Sequence, residues 1–366
     1  MRYLPRHCIL YLFWGFVSVV SFTENDGGTL QGVAVLFRHG DRSPMDTWPN
    51  DPYYGNSTLW PDGYGQLNNK GKRRHFELGK WFRNRYDGFL PSRYNSSDIY
   101  VRSTDVDRTL MSAECNLAGL YSPQDDQVWD VDIGWQPVPV HTVTYDSDNV
   151  LAFGAPCPKH DLLEEQLKAS DEIQEILNEH KDTLDAIGAA SGYGDMDLRK
   201  VSKIFSTVTI YRGFNLTLPG WTEDYWPQIQ ELAAIKFKLH TYTPEMARLR
   251  TGLFFRYLVD YFRRVEGGEG TKFLMLSAHD DTIADVTNAM GTYMDAVPEF
   301  ASSVLWEVRA GDDRVYVSVY FKNSTAFVQL KVYDCDLNCG LDDFEDVMAS
   351  ILVDDDQQWT DECQNN

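Results

Sequence analysis

The segment Arg38-His39-Gly40-Asp41-Arg42 places two arginines on either side of a histidine. Guanidinium groups present planar forks of N–H donors that suit phosphate oxygens. Fixed cations beside an imidazole disfavour its protonation, and a neutral imidazole nitrogen is a competent nucleophile toward phosphorus. The glycine lets the backbone come close to a ligand. By itself such a segment reads as a solvated charged loop after a strand. Three further residues change the weighing. Arg102 supplies another cation, His279 a second imidazole, and Asp280 a carboxyl group able to protonate a leaving alcohol. The competing chemistry is a dinuclear metal hydrolase with His39, Asp41, His279, Asp280 and Asp281 as ligands. Three arginines in the same pocket oppose it, since they would repel the cations.

Each of these groups follows an apolar run. Gly32–Phe37 reads as a buried strand delivering Arg38 and His39, 98–101 as a second delivering Arg102, and 272–276 as a third leading to His279 and Asp280. Charges of a solvated face would not fall three times at the ends of buried strands. In open α/β sheets, ligands bind beyond the carboxyl ends of the strands. Thr104 and Asp107 resemble a capping box opening a helix with Val106, Leu110, Ala113, Leu117 and Leu120 as its apolar positions. Thr243-Pro244 opens another that stops at Gly267-Gly268. Ser170 and Thr222 are cap-like residues before expected helices near 171–187 and 223–239. Residues 303–308 and 315–321 flank a Gly-Asp-Asp turn and predict a β-hairpin. The expected architecture is an α/β core (22–130 and 243–366) with a mixed central sheet flanked by helices. A mainly helical lobe is inserted at 131–242, and the site lies in the cleft between the two.

The chain has 366 residues and a formal charge of −22, which disfavours polyanionic partners such as nucleic acid. Arg2 and Arg6 precede an apolar run from Cys8 to about Val20, and Val19 and Ser21 offer a small-residue cleavage point. Residues 1–21 therefore read as a signal peptide. The run is shorter than the roughly 20 residues of a membrane-spanning helix, and no transmembrane anchor is expected. Sequons at Asn56, Asn95, Asn215 and Asn323 fit export. Cys115, Cys157, Cys335, Cys339 and Cys363 would form two disulfides and leave one thiol in an oxidising compartment. Zinc is the other reading of Cys335 and Cys339, but no second close Cys or His pair completes four ligands.

The sequence resembles the histidine acid phosphatases, particularly the prostatic and lysosomal type and the secreted invertebrate enzymes. The resemblance rests on residues 36–44 (Leu-Phe-Arg-His-Gly-Asp-Arg-Ser-Pro), 60–67, 101–109 (Val-Arg-Ser-Thr-Asp-Val-Asp-Arg-Thr), 135–141 and 277–280 (Ser-Ala-His-Asp), and it runs from about residue 30 to Cys363. It implies a phosphoglycerate-mutase-like fold and a secreted, metal- and cofactor-free acid phosphatase acting on small phosphate monoesters. His39 would be the residue phosphorylated in turnover. Arg38, Arg42, Arg102 and His279 would hold the phosphoryl oxygens, and Asp280 would be the proton donor. Phytases of this superfamily typically carry His-Ala-Glu where His279-Asp280 stands, and the mutases follow their Arg-His-Gly with Glu rather than Asp41. Two family disulfides map onto Cys335–Cys339 and Cys157–Cys363. A third is missing, its positions falling near Tyr211-Arg212 and at Ser303, and Cys115 matches no family bridge. Asp281 stands where many relatives have Thr, and its charge is expected to raise the proton affinity of Asp280. The other readings are a phytase or lysophospholipid phosphatase of the same superfamily and a catalytically idle secreted binding protein on the fold. A lysosomal location and a homodimer are both compatible with the resemblance.

Overall fold

The computed structural model describes residues 28–293 and 295–364. The expected signal peptide lies outside the described residues. In chain order the elements are β1 (Thr29–Arg38), α1 (Asn69–Arg85), β2 (Ile99–Thr104), α2 (Asp107–Leu120), β3 (His141–Val143), α3 (Pro158–Lys168), α4 (Asp171–Glu179), α5 (Lys181–Ser191), α6 (Leu198–Gly213), α7 (Gly220–Asp224) and α8 (Trp226–Lys238). They continue as α9 (Pro244–Glu266), β4 (Phe273–Ala278), α10 (Asp280–Ala289), β5 (Ser303–Ala310), β6 (Val315–Lys322), β7 (Phe327–Leu330), β8 (Asn338–Gly340), α11 (Leu341–Met348) and α12 (Asp356–Gln364).

One mixed sheet runs in the order β3-β2-β4-β1-β5-β6-β7, with β8 paired to β6. β1, β2, β3 and β4 are mutually parallel, whereas β5 to β8 are joined by antiparallel pairings. The uninterrupted apolar run of β1 is explained by cover on both faces. Ala34 and Leu36 pack with Phe254, Phe255, Leu258 and Ile283 of α9 and α10. Val33, Val35 and Phe37 face Leu78, Phe82, Ala113 and Leu117 of α1 and α2. α1 and α2 approach so closely that a Cβ at Gly79 would stand 1.9 Å from the Asn116 carbonyl oxygen, and one at Gly119 2.1 Å from that of Phe76.

The hairpin is present as β5 and β6, and α9 begins as its sequence predicts, with Thr243 Oγ1 accepting from the Met246 N–H and Pro244 in the first turn. Ser170 caps α4. Other expectations fail locally. The helix expected near 171–187 is two helices, α4 and α5, meeting at His180, whose backbone (φ −97°, ψ 10°) interrupts the helical ladder. Thr222 caps nothing, because its hydroxyl donates to the Pro219 carbonyl inside α7. The longer helix starts at Trp226, where Pro227 suits the first turn. α2 has no side-chain cap: β2 runs on to Thr104, whose hydroxyl is used elsewhere.

Within 131–242, β3 joins the core sheet, while α4 to α6 and α8 bury their own apolar cluster, which includes Ile187, Val201, Ile204, Ile229 and Leu232 and closes on Trp48, Trp60 and Phe300. Disulfides join Cys157 to Cys363 and Cys335 to Cys339, and Cys115 is a half-buried free thiol. No helix among the described residues is long and apolar enough to cross a membrane.

Candidate active site

Sheet register builds the site. Arg38 at the end of β1 lies opposite Ala278 of β4, and Ser103 of β2 lies opposite Ser277. The next residues of the three strands therefore meet at one edge. His39 continues the ladder, its N–H donating to the Ala278 carbonyl at 2.9 Å. A Cβ at Gly40 would stand 2.6 Å from the Gly71 carbonyl oxygen, so glycine is required there for contact with α1.

His39 is almost fully buried. Its Nδ1 is 2.8 Å from the Gly40 carbonyl oxygen, which can only accept, so Nδ1 carries the proton and Nε2 presents its lone pair. Burial pushes the His39 pKa well below its ordinary value, and Arg38, Arg108, Arg42 and His279 push it further in the same direction. Both effects favour the neutral form of the ring.

The guanidinium of Arg38 is set by three contacts: Asp280 Oδ2 at 2.7 Å, the Pro298 carbonyl at 2.5 Å and the Phe300 ring 4.1 Å below it. Arg42 donates to the Ser43 carbonyl at 3.0 Å and to Ser206 Oγ at 3.2 Å. Burial lowers its pKa to about 9, so it stays charged at acid and neutral pH. His279 is held between Thr104 Oγ1, 3.0 Å from Nε2, and Arg108 Nη2, 3.4 Å from Nδ1. Because arginine only donates, Nδ1 accepts and Nε2–H points at the threonine. Burial, followed by Arg108, lowers the His279 pKa to about 4, against the pull of Asp280 and Asp281.

Arg102 is not brought to this cluster. Its guanidinium lies 2.6 Å from Asp148 Oδ1, a fully buried carboxylate that also accepts from the N–H groups of Val150 and Leu151. β2 extends three residues beyond its predicted end, which leaves Arg102 inside the strand opposite Leu276 and His141. The third arginine of the pocket is Arg108, from the first turn of α2, which lines the cavity with Arg38, His39, Arg42, His279 and Asp280. A signal for it exists in the sequence: a cation in the first turn of a helix opposes the helix dipole and calls for another reason to be there. The Nε–H groups of Arg38, Arg42 and Arg108 are buried without a protein acceptor, which suits an anion. The carboxylates proposed as metal ligands are otherwise engaged: Asp41 by Arg74 (2.8 Å) and Lys70 (3.4 Å), Asp280 by Arg38, and Asp281 by Lys236 (2.7 Å).

Asp280 opens α10. Burial favours its neutral form, but Arg38, Arg42, His279 and Lys236 outweigh that effect and hold it well below the usual carboxylate range. The cavity around these groups measures about 580 Å³ and extends past them to Tyr145, Lys203, Lys236 and Arg250. No motif in the sequence points to this outer wall.

A neutral buried histidine with a free Nε2, three arginines with unsatisfied donors and a carboxyl group at a helix start define a phosphoryl-transfer site with a histidine nucleophile. A family model for the histidine phosphatase superfamily (branch 2) matches residues 29–336, and the chain belongs to that family. Its enzymes are metal-independent phosphomonoesterases that act through a phosphohistidine, and this chain is one of them. It is 36% identical to human prostatic acid phosphatase over 364 residues, 97% of this chain and 91% of that one. It is 35% identical to human lysosomal acid phosphatase over 371 residues, 98% of this chain and 86% of that one. Among solved structures, the Hafnia alvei phytase in complex with tartrate superposes with a TM-score of 0.70 at 18% identity, covering 93% of this chain and 100% of that chain, a likeness of fold.

Proposed function

We propose that this protein is an acid phosphatase in which His39 is the nucleophile and Asp280 the proton donor. The observation that carries the assignment is the Nδ1 contact of His39 with the Gly40 carbonyl, which leaves Nε2 free in the pocket lined by Arg38, Arg42 and Arg108. In the first displacement the Nε2 lone pair forms a bond to phosphorus, the ester P–O bond breaks, and the leaving oxygen takes a proton from Asp280. In the second, water attacks phosphorus, Asp280 accepts its proton, and the P–N bond breaks to release phosphate. Arg38, Arg42 and Arg108 stabilise the phosphoryl oxygens throughout, and His279 joins them as a donor through Nδ1 once the incoming phosphoryl charge favours its protonated form. A phosphate monoester below its second pKa of about 6 arrives as a monoanion, and that proton can load Asp280. Acid pH supplies this form of substrate, and the lowered pKa of His39 favours the neutral nucleophile there.

The test is nitrophenyl phosphate hydrolysis by wild type and His39→Ala in excess EDTA. The substitution should lower kcat by at least ~10³-fold in a folded protein and abolish acid-labile phosphate on the chain, while the chelator has no effect. Near-normal turnover by His39→Ala would reject the nucleophile.

Export through the signal at 1–21 to the extracellular space, or to the lysosomal lumen, is supported by the two disulfides and by the prostatic and lysosomal relatives. Asn56, Asn95 and Asn215 are exposed and Asn323 is half-buried, so each is a candidate glycan site. A homodimer is supported by β3, an edge strand whose outer side pairs with no strand among the described residues, and by exposed Trp129, Val131 and Trp135 in the segment that leads to it. Light scattering should give twice the chain mass, and Val131→Asp with Trp135→Asp should halve it. A monomeric wild type rejects the dimer.

A further inference from the structure

The phosphoryl site fills only the inner part of the cavity. Its outer wall is one face of α6, where Arg199, Ser202, Lys203 and Ser206 succeed one another at helical spacing. Most cations around that outer space are already neutralised: Lys203 by Asp46, Lys236 by Asp281 and Arg250 by Asp285. Arg199 is exposed, and no acidic side chain among the described residues pairs with it. It also stands in the first turn of α6, which contains no acidic residue, where a cation works against the helix dipole. The N-cap carboxylate of Asp197 is taken up by the Lys200 N–H at 2.7 Å, so Arg199 presents to the cavity a guanidinium with no ion-pair partner among the described residues, in a chain whose overall charge is −22.

Distance fixes what such a group could hold. Ser206 touches Arg42 of the phosphoryl site, and Arg199 precedes Ser206 by two helical turns, about 10 Å along the axis at ~1.5 Å per residue. We infer that Arg199 binds a second anionic group of the substrate, so that the enzyme prefers phosphomonoesters carrying another phosphate or carboxylate roughly 10 Å from the reacting phosphorus. Arg199 is then a specificity-determining residue with no part in the chemical step. Ser202 is placed to donate a further hydrogen bond to the same group. This inference rests on the phosphatase reading above.

Two matched substrates test it: hexane-1,6-diol bisphosphate and 6-hydroxyhexyl phosphate, which differ only in the distal phosphate. Wild type should show a kcat/KM about tenfold higher for the bisphosphate, the effect of one charge-assisted hydrogen bond beyond the statistical factor of about two. The preference should shrink as ionic strength rises. Arg199→Gln should reduce it to the statistical factor, Arg199→Lys should retain part of it, and both variants should turn over nitrophenyl phosphate as wild type does. A wild type without the preference, or an Arg199→Gln that keeps it, overturns the inference and leaves the phosphatase reading standing. Absence of nitrophenyl phosphate turnover in wild type removes both.

Discussion

Asp280 Oδ2 lies 2.7 Å from Arg38 Nη2, so the carboxyl group assigned as proton donor is held as a carboxylate in the resting protein. The same guanidinium is proposed to hold the phosphate. A phosphoryl group arriving between Arg42 and Arg108 competes with Asp280 for Arg38 and brings its own negative charge. Both effects raise the proton affinity of Asp280 at the moment a proton is needed.

Asp280→Asn should therefore cripple alkyl phosphates far more than nitrophenyl phosphate, because an alkoxide cannot leave unprotonated whereas nitrophenolate can. The basic limb of the pH profile should flatten in the variant, since it reports loss of that proton in the complex. Equal losses on glycerol phosphate and nitrophenyl phosphate would reject Asp280 as the acid.

Arg108 and Arg102 should part company. Arg108→Gln removes a charged donor from the phosphate and should cost about 1.5–3 kcal/mol in kcat/KM, with weaker inhibition by phosphate and vanadate. It also removes a cation that keeps His39 neutral. His39 then takes up a proton at higher pH, and the acid limb should move upward. Arg102→Ala should leave phosphate inhibition unchanged while destabilising the fold by roughly 3 kcal/mol, because Asp148 is left buried without its cation. Thermal unfolding beside inhibition constants separates the two, and weakened phosphate inhibition in a stable Arg102→Ala would place that residue back in the pocket.

Asp281 and Lys236 should act in opposite directions. The expected repulsion between Asp281 and Asp280 is largely offset by the 2.7 Å pair with Lys236. Asp281→Asn leaves Lys236 unopposed, favours the ionised form of Asp280 and should shift the basic limb to lower pH by up to about one unit. Lys236→Met leaves the Asp281 charge unopposed and should shift it to higher pH. Shifts in the same direction in glycerol phosphate profiles would show that this pair does not control the proton donor.

The sequence alone was sufficient for the nucleophile segment and the strands beneath it. A continuous apolar run such as Val33–Phe37 can be satisfied only by cover on both faces, and the residues at its carboxyl end must emerge at the sheet edge. That Arg38, His39, His279 and Asp280 meet at one sheet edge was legible for that reason, and the Cys157–Cys363 and Cys335–Cys339 pairings were legible through the resemblance. The third arginine was decided only in three dimensions. Thr104 reads as the cap of a helix, yet pairing with β3 and β4 keeps Ser103 and Thr104 in strand. Their hydroxyls are satisfied inside the protein, which no local pattern reveals. Three added residues move Arg102 one layer back onto Asp148 and bring Arg108 forward on the next helix turn. The partner of Asp281 was equally hidden, because Lys236 is 45 residues away on α8. Hydrophobic periodicity is a local property of the chain, whereas the choice of charge partner depends on which distant elements pack together.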